Sequence, residues 1–154
     1  MFTGITRGLF AVTQVERAPD LLRFVVDLAA YGEGLELGAS VSIDGVCQTV
    51  VAVDESRITF EAIRETLAKT TLGSLEVGTK VSVERSARVG DEVGGHDVSG
   101  HVTGTGTLGH RETKGHDVSL RIDVPKAWMK YILHKGFVAL DGSSLTVGER
   151  DDGG

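Results

Sequence analysis

The sequence predicts an all-β protein built from two tandem copies of one unit, the second copy being incomplete. The main observation is a repeated hairpin: Asp44-Gly45 and Asp141-Gly142 each follow an alternating apolar run, and Cys47 or Ser144 follows each turn, before x-Thr-Val. Asp-Gly between two β-type runs is a strong hairpin signal, because glycine accepts the positive φ that such turns need. The copies lie about 97 residues apart, which is about the length of one small domain.

The composition is that of a soluble, strand-rich protein. Its 154 residues are 40% apolar and 25% charged, as in globular domains, and 21 glycines against 2 prolines favour short strands joined by tight turns. The net charge of −6 argues against nucleic acid as a partner, because phosphate binding needs basic residues.

Targeting signals and cysteine content indicate the cytoplasm. The chain has no apolar run long enough to span a membrane, and it does not open with the pattern of a signal peptide. The single cysteine, Cys47, rules out an internal disulfide and fits a reducing compartment. We therefore expect a cytoplasmic protein with no membrane partner.

The first unit is predicted to be a small antiparallel barrel. Runs such as Arg57–Ile63 alternate between apolar and polar residues, as half-buried strands do. The predicted strands cover residues 2–12, 22–28, 39–43, 47–53, 57–63 and 80–85, with turns at 16–20 and 54–56 and a short helical turn at 65–69. So many short strands close into a barrel more readily than they leave edges exposed.

The second unit begins after a charged, glycine-containing linker or rim loop, residues 88–93. We align Gly4–Thr6 with His101–Thr103 and Phe24–Asp27 with Leu120–Asp123, which predicts domains at 1–93 and 94–154. Residues 125–133 give the strongest helix pattern in the chain: a proline occupies the first turn, where a missing N–H costs nothing, and the larger apolar side chains share one face.

The second unit has no counterpart of residues 57–85, because Asp151 corresponds to Asp54 in the repeat. Part of a barrel cannot satisfy its own edge N–H and C=O groups. We expect that the chain is a fragment. Two alternatives are that another chain supplies the missing strands and that the second unit is only partly ordered.

These residues carry a family resemblance. The sequence resembles riboflavin synthase of the alpha-chain type, a family of lumazine-binding repeats, over essentially the whole chain. The matching segments are residues 1–5, 45–50, 65–67, 70–73, 94–96, 99–102, 129–132, 135–136 and 141–149. Matches at both repeats, in order and at the right spacing, are more specific than any single motif.

The resemblance implies two Greek-key barrels of about six strands each and a C-terminal helix that helps to form a homotrimer. It implies dismutation of two 6,7-dimethyl-8-ribityllumazine molecules, in which a four-carbon unit passes between them to give riboflavin and 5-amino-6-ribitylaminouracil, with no cofactor and no metal. Each barrel would bind one substrate, with the active site between the N-terminal barrel of one subunit and the C-terminal barrel of another. The alternatives are a non-catalytic lumazine- or flavin-binding protein on the same scaffold and a plain structural barrel module.

The resemblance also implies two sets of site residues. The N-barrel pocket would use Gly4, Ile5, Thr6, Cys47, Gln48, Thr49, Glu61, Ala62, Ile63, Arg64, Glu65 and Thr66. The C-barrel pocket would use Gly100, His101, Val102, Lys135, Ser144, Leu145 and Thr146. Phe2, Ser40 and Asp141 match positions that the family associates with the reaction. Gln48 departs from the usual leucine.

The reaction needs a base for the C7 methyl of one lumazine, a nucleophile for C7 of the other, polar donors for the anionic ring, and two oriented ligands. Cys47 is a nucleophile candidate as its thiolate, or a small buried apolar residue. Ser40 is a second nucleophile or hydrogen-bonding candidate, or a turn-lining serine. His101 is a candidate base, or a histidine at the rim of a glycine-rich loop. Ser144 occupies the position equivalent to Cys47.

The remaining candidates each have a plain structural alternative. Thr49 and Thr146 can bond the pteridine edge or serve as ordinary strand formers. Lys135 can meet the ribityl chain or remain a solvated turn lysine. Asp141 joins the family's catalytic set, although the aspartate of an Asp-Gly turn often serves only its own backbone. His96 and His101 lack a third ligand at a recognisable spacing, so we predict no metal site.

Overall fold

The first repeat forms a closed barrel of six antiparallel strands, as the sequence predicts. The computed structural model describes residues 1–151. The strands are β1 (Leu9–Ala18), β2 (Leu21–Asp27), β3 (Ser40–Ile43), β4 (Val46–Asp54), β5 (Arg57–Ile63) and β6 (Lys80–Arg85). Their order around the barrel is β1-β2-β5-β4-β3-β6. A short helix, α1 (Arg64–Lys69), follows β5 directly.

The barrel is filled by alternate side chains of its strands. Phe24 and Phe60 lie opposite each other in β2 and β5, are fully buried, and have ring centroids 5.5 Å apart. Val41 and Ile43 of β3 face the same core. Successive strand residues point to opposite faces, so the residues between them, such as Ser42, lie on the outer face of the barrel wall.

The chain does not enter β1 at once. The prediction of a strand over residues 2–12 was wrong for residues 3–8, because β1 begins at Leu9 and Gly4 and Gly8 have φ of 75° and 145°, outside the strand region. Residues 1–7 instead run beside β6, where the Arg7 amide donates to the Val83 carbonyl over 2.9 Å.

The described part of the second repeat, up to residue 151, contains four strands in two separate two-stranded sheets. They are β7 (Thr107–Lys114), β8 (Asp117–Asp123), β9 (Phe137–Leu140) and β10 (Ser143–Thr146). The β7–β8 pair copies β1–β2 down to its irregularity: the register shifts between Val12 and Gln14 in one and between Leu108 and His110 in the other. The duplication and the incomplete second barrel are therefore confirmed within residues 1–151. The domain division at residue 93 stays a prediction, and residues 152–154 of the second domain lie outside the described residues.

The segment with the helical pattern forms a 3₁₀ helix, Lys126–Tyr131, instead of the helix predicted over residues 125–133. The Trp128 amide donates to the Pro125 carbonyl three residues earlier, over 2.8 Å, which is the bonding of a 3₁₀ turn. The Trp128 ring packs against Gly104, where an added Cβ would lie 2.6 Å from a ring carbon. No helix in the described part of the chain is long and apolar enough to cross a membrane.

The two repeats meet at the tips of their equivalent hairpins. Asp44 and Gly45 have φ of 46° and 80°, and Asp141 and Gly142 have φ of 46° and 83°, as expected for Asp-Gly hairpin turns. The glycine backbones touch, since a Cβ on Gly142 would lie 3.0 Å from the Gly45 nitrogen. Ser82 joins both tips: its amide donates to Asp44 Oδ1 and its hydroxyl to the Asp141 carbonyl, each over 2.6 Å.

Burial raises the pKa of the Asp44 carboxyl; the Ser82 amide opposes this shift and the charge of Asp141 adds to it. A raised pKa means that the folded state binds the Asp44 proton more tightly than the unfolded state does. The stability gained from this proton is fully present below the ordinary pKa of 3.8. It is lost as the pH rises through the raised pKa of the folded state. The ionised Asp44 therefore costs stability at neutral pH.

We expect Asp44→Asn to raise the melting temperature at pH 7, because asparagine accepts the positive φ and can still accept from the Ser82 amide without carrying charge. The gain should shrink as the pH falls toward 4, where Asp44 of the parent becomes protonated. Thermal unfolding of both proteins from pH 4 to 8 measures this. Asp20→Asn, the same change at an exposed turn residue with φ of 62°, controls for the turn itself. A pH-independent difference would contradict the prediction.

Gln48 is the one residue of β4 that places an amide in the barrel interior. It pairs in register with Val41 and is 5% exposed. Its Nε2 donates to the neighbouring Cys47 carbonyl over 3.0 Å, while Oε1 is buried with no hydrogen-bond partner among residues 1–151. An unsatisfied buried acceptor destabilises the folded state.

We expect Gln48→Leu to increase the free energy of unfolding by about 1–2 kcal/mol, because it removes the unpaired oxygen and adds apolar contacts. Chemical denaturation followed by circular dichroism measures the change. Gln14→Leu, the same replacement at an exposed strand position, should leave stability within about 0.5 kcal/mol. A loss of stability in Gln48→Leu would mean that Oε1 has a partner in solution.

Candidate functional site

A cleft of about 320 Å³ opens on the outside of the first barrel, next to Cys47. We call it the Cys47 cleft. Its lining residues are Val46, Cys47, Glu65, Thr66, Lys69, Thr70, Gly100, His101 and Val102. The cleft therefore combines the start of β4, helix α1 with the residue after it, and a segment of the second repeat.

Helix α1 forms one wall because β5 runs antiparallel to β4, so the residues after β5 return to the start of β4. Thr66 and Thr70 lie one helical turn apart on this wall, and the Thr70 hydroxyl donates to the Thr66 carbonyl over 2.7 Å. Lys69 Nζ lies 2.7 Å from Glu65 Oε1 at the rim. The hydrogen bond from Lys69 lowers the pKa of Glu65, so the rim carries an ion pair at neutral pH.

The opposite wall is held to the barrel by a backbone contact at Gly100. The Cys47 amide donates to the Gly100 carbonyl over 2.9 Å. A Cβ at Gly100 would lie 2.8 Å from Cys47 Cβ and 3.0 Å from a ring carbon of Phe2, and Gly100 also has φ of 77°. Only glycine fits this position without displacing its neighbours.

The same contact occurs a second time with the repeats exchanged. The Ser144 amide donates to the Gly4 carbonyl over 2.8 Å, Gly4 has φ of 75°, and a Cβ there would lie 2.7 Å from Ser144 Cβ. Each repeat thus places one glycine against the hairpin of the other repeat: Gly4 lies against Ser144, and Gly100 lies against Cys47.

The two crossing segments pair with each other where they pass. Phe2 and Val98 form an antiparallel bridge, with backbone hydrogen bonds of 2.8 and 2.9 Å, and both side chains are buried. The predicted pocket sets place Gly4 with Cys47 and Gly100 with Ser144, whereas the structure brings each glycine to the other hairpin; which residues bind substrate stays a prediction. Gly4 lies with Ser144 and Gly100 lies with Cys47, because the segments of the two repeats are exchanged. The alignment of Gly4 with His101 was wrong by one residue, since Gly100 is the structural equivalent of Gly4.

His96 stands at the second contact and was missed as a site residue. Its Nδ1 lies 2.6 Å from Ser144 Oγ, its ring stacks on Phe137 with centroids 4.3 Å apart, and its amide donates to the Thr3 carbonyl over 3.0 Å. His101 lines the Cys47 cleft instead. The two histidines thus serve different contacts, and no group of three or more possible metal-ligating side chains occurs within residues 1–151.

Several predicted residues of the first repeat lie outside the Cys47 cleft. Gln48 and Ala62 are buried in the barrel wall. Ser40 and Thr49 lie opposite each other in β3 and β4, and Ser86 donates to the Ser40 carbonyl from its hydroxyl over 2.8 Å. The rest are surface residues: Glu61 pairs with Arg23, Arg64 lies near Asp20, and Ile63 is exposed.

Most of the remaining predicted residues belong to the second repeat. Thr6 and Asp141 line another cleft, of about 530 Å³, beside the hairpin tips. Ile5 lies against Gly94. Lys135 has φ of 59° and its amide donates to the Val147 carbonyl over 2.9 Å. Leu145 and Thr146 pair with Val138 and Phe137 in β9. Whether these residues bind substrate stays a prediction.

Sequence reasoning missed Lys69, Thr70 and Val46 in the cleft and Thr3, His96 and Glu84 at the crossing. The helical spacing from Thr66 to Lys69 and Thr70 is a local signal that predicts a shared face. Glu84 carries no such signal. It is buried because residues 1–7 cover it, and that covering depends on contacts about 80 residues apart in the chain.

The Cys47 cleft brings together a thiol, an imidazole, two hydroxyls and an ammonium group around one opening. These groups can donate hydrogen bonds to a polar heterocycle, take up a proton and add to an electrophilic carbon. Clefts of a few hundred Å³ with a few convergent polar groups are typical of small-molecule sites.

Comparison with known proteins identifies the family. The model of the lumazine binding domain matches residues 3–86 and again residues 99–153. Riboflavin synthase of Escherichia coli (strain K12) is 42% identical over 151 residues, covering 97% of this chain and 71% of that protein. Riboflavin synthase of Brucella abortus (strain 2308) is 40% identical over 152 residues, covering 96% of this chain and 75% of that protein.

Solved structures agree in fold. LumP complexed with riboflavin superposes with a TM-score of 0.89 at 25% identity, covering 99% of this chain and 83% of that chain. LumP complexed with 6,7-dimethyl-8-(1'-D-ribityl) lumazine gives a TM-score of 0.85 at 25% identity over the same shares of the two chains. The two domain matches and the identities to both synthases together establish that this chain belongs to the riboflavin synthase family of lumazine-binding proteins.

Proposed function

We propose that this protein is a riboflavin synthase, a transferase that dismutates two molecules of 6,7-dimethyl-8-ribityllumazine. One molecule gives up a four-carbon unit and leaves as 5-amino-6-ribitylaminouracil, and the other accepts the unit and becomes riboflavin. The observation that carries this proposal is the 42% identity with the Escherichia coli riboflavin synthase across 151 residues. That match spans both repeats and both hairpins.

The Cys47 cleft is the proposed site for the first lumazine. Its volume of about 320 Å³ is at the lower end of the range for small-molecule sites. The hydroxyls of Thr66 and Thr70 and the ammonium of Lys69 offer hydrogen bonds to a ribityl chain, and Cys47 and His101 lie at the same opening. The solved complexes of LumP with riboflavin and with a ribityl lumazine, at 25% identity, support a ligand of this class.

The Ser144 contact is the proposed place for the second lumazine. It repeats the geometry of the Cys47 contact, with Gly4 in place of Gly100. Under this proposal the chain has two ligand-binding domains, 1–93 and 94–154, each with a Greek-key plan. The order β1-β2-β5-β4-β3-β6 in the first supports that plan. Two bound lumazines must face each other to react, so we propose a homotrimer in which a first-repeat site meets a second-repeat site of another subunit.

Side chains of this protein are proposed to perform each step of the reaction. A base, for which His101 is the candidate, takes a proton from the C7 methyl of one lumazine, and the ring holds the resulting negative charge. Cys47, with Ser40 as the second candidate, adds to C7 of the other lumazine. Ser144 and Asp141 are the proposed polar partners at the second site. Holding the two rings together supplies much of the rate, and we propose that neither a metal nor a cofactor is needed.

We propose a cytoplasmic location.

The second candidate function is that of a lumazine- or flavin-binding protein without activity. The fold match to LumP with riboflavin bound favours it, with a TM-score of 0.89. Such a protein needs one complete cleft, and the Cys47 cleft is backed by a closed barrel. The presence of a thiol, a hydroxyl and two histidines at the two contacts favours the catalytic function, since a binder has no need of them.

We expect the purified chain to convert 6,7-dimethyl-8-ribityllumazine to riboflavin without any added cofactor, because its 42% identity with the Escherichia coli riboflavin synthase extends over 151 residues. Riboflavin absorbance follows turnover, and quenching of ligand fluorescence follows binding in the same samples. Binding without product would favour the non-catalytic alternative. The absence of both binding and product formation would contradict both functions.

We expect Cys47→Ser to lower kcat by about 10–1000-fold while the lumazine Kd changes by less than about 3-fold, because serine keeps the size of the side chain and loses the thiolate nucleophile. Steady-state kinetics and fluorescence titration give the two values. Ser42→Ala, a change at the β3 residue opposite Cys47, tests whether a neighbouring side-chain change alone has this effect. Unchanged kcat in Cys47→Ser would remove the thiol from the mechanism.

A further inference from the structure

Glu84 is a buried carboxylate that the proposed chemistry does not use. It lies on the outer face of β6 and is 5% exposed. Its oxygens accept from the Thr3 amide over 2.6 Å, the Thr3 hydroxyl over 2.7 Å and the Gly4 amide over 3.0 Å. All three donors belong to two adjacent residues of the segment that crosses toward the second repeat.

Within the described residues, no cationic side chain forms an ion pair with the Glu84 carboxylate. The ion pairs of residues 1–151 do not include Glu84, so its desolvation is offset by hydrogen bonds from Thr3 and Gly4. A buried carboxylate with this partner set is costly to leave unsatisfied. The three hydrogen bonds therefore fix the position of the Thr3 and Gly4 backbone relative to the Glu84 side chain.

The carbonyl groups of the same two residues face the second repeat. The Thr3 carbonyl accepts from the His96 amide over 3.0 Å, and the Gly4 carbonyl accepts from the Ser144 amide over 2.8 Å. His96 Nδ1 lies 2.6 Å from Ser144 Oγ. Two adjacent residues, Thr3 and Gly4, thus connect Glu84 on one side with both members of the His96–Ser144 pair on the other.

We propose that Glu84 is a positioning residue: through Thr3 and Gly4 it sets the distance between His96 and Ser144 at the second lumazine site. It does not touch the reacting atoms. The proposal rests on the proposed function for its effect on rate, and on the geometry alone for its effect on the His96–Ser144 pair. A displacement near 1 Å of groups that position a substrate lowers the rate by about 100-fold.

The structural part is tested by amide hydrogen exchange, measured by NMR, in the parent chain and in Glu84→Gln. Glutamine keeps one acceptor and turns an NH₂ group toward a backbone donor, so one of the three bonds must break. We expect exchange at the amides of Ser144 and His96 to become about 10-fold faster or more, while barrel amides such as that of Phe60 keep their relative protection. Unchanged or uniformly faster exchange would overturn the proposal.

The functional part is tested by steady-state kinetics with 6,7-dimethyl-8-ribityllumazine. We expect Glu84→Gln to lower kcat by about 100-fold and to change KM much less, because the Cys47 cleft does not include Glu84. Thr3→Val, which removes only the hydroxyl donor, should give a smaller loss in the same direction. Ile58→Val in the barrel core is a control for lost stability alone and should keep the parent kcat.

The outcomes separate the two proposals. A parent chain with no turnover would count against the proposed function, and the exchange experiment would still decide whether Glu84 holds the pair. An active parent with locally faster exchange and full kcat in Glu84→Gln would overturn Glu84 as a positioning residue for the reaction. A kcat loss in Ile58→Val equal to that in Glu84→Gln would also overturn it, because stability would then explain the effect.

Discussion

The pair of backbone hydrogen bonds between Phe2 and Val98 is the constraint on which the site depends. These bonds, 2.8 and 2.9 Å long, fix the point at which the two exchanged segments pass each other. From there the first segment reaches Ser144 through Gly4, and the second reaches Cys47 through Gly100. Neither contact tolerates a Cβ, so the crossing is held by backbone groups on both sides and its geometry leaves little freedom.

This arrangement explains why a repeat with a complete barrel still needs its neighbour. The first barrel closes by itself and buries its own core, but one wall of the Cys47 cleft comes from residues 100–102. Folding stability and site formation are therefore supplied by different contacts. The core comes from alternating strand residues that all belong to the first repeat, including the closure of β1 on β6, whereas one wall of the cleft depends on the pairing of Phe2 with Val98, for which the chain must first close a long loop.

The same distinction decides what could be predicted from the sequence. The Asp-Gly hairpins, β2 and β5 follow from local patterns, and they appear where those patterns place them. Sequence order suggests that each repeat completes its own pocket, which places Gly4 with Cys47, and no local signal reveals that Gly4 contacts Ser144. The late start of β1 has a local cause that was overlooked: Gly4 and Gly8 adopt positive φ. The burial of Glu84 could not be predicted from the sequence, since it is created by the crossing of the two segments.

The hairpin tips show how duplication limits what each copy can change. Gly45 and Gly142 touch backbone to backbone, so both turns must keep glycine whatever happens in their strands. The aspartates beside them are less constrained and already differ, since Asp44 is partly buried against Ser82 while Asp141 is exposed. The residues after the turns differ more, with Cys47 in one copy and Ser144 in the other. Backbone contacts thus preserve the shared framework, and the side chains beside them are free to take separate roles, one as a nucleophile candidate and one as the partner of His96.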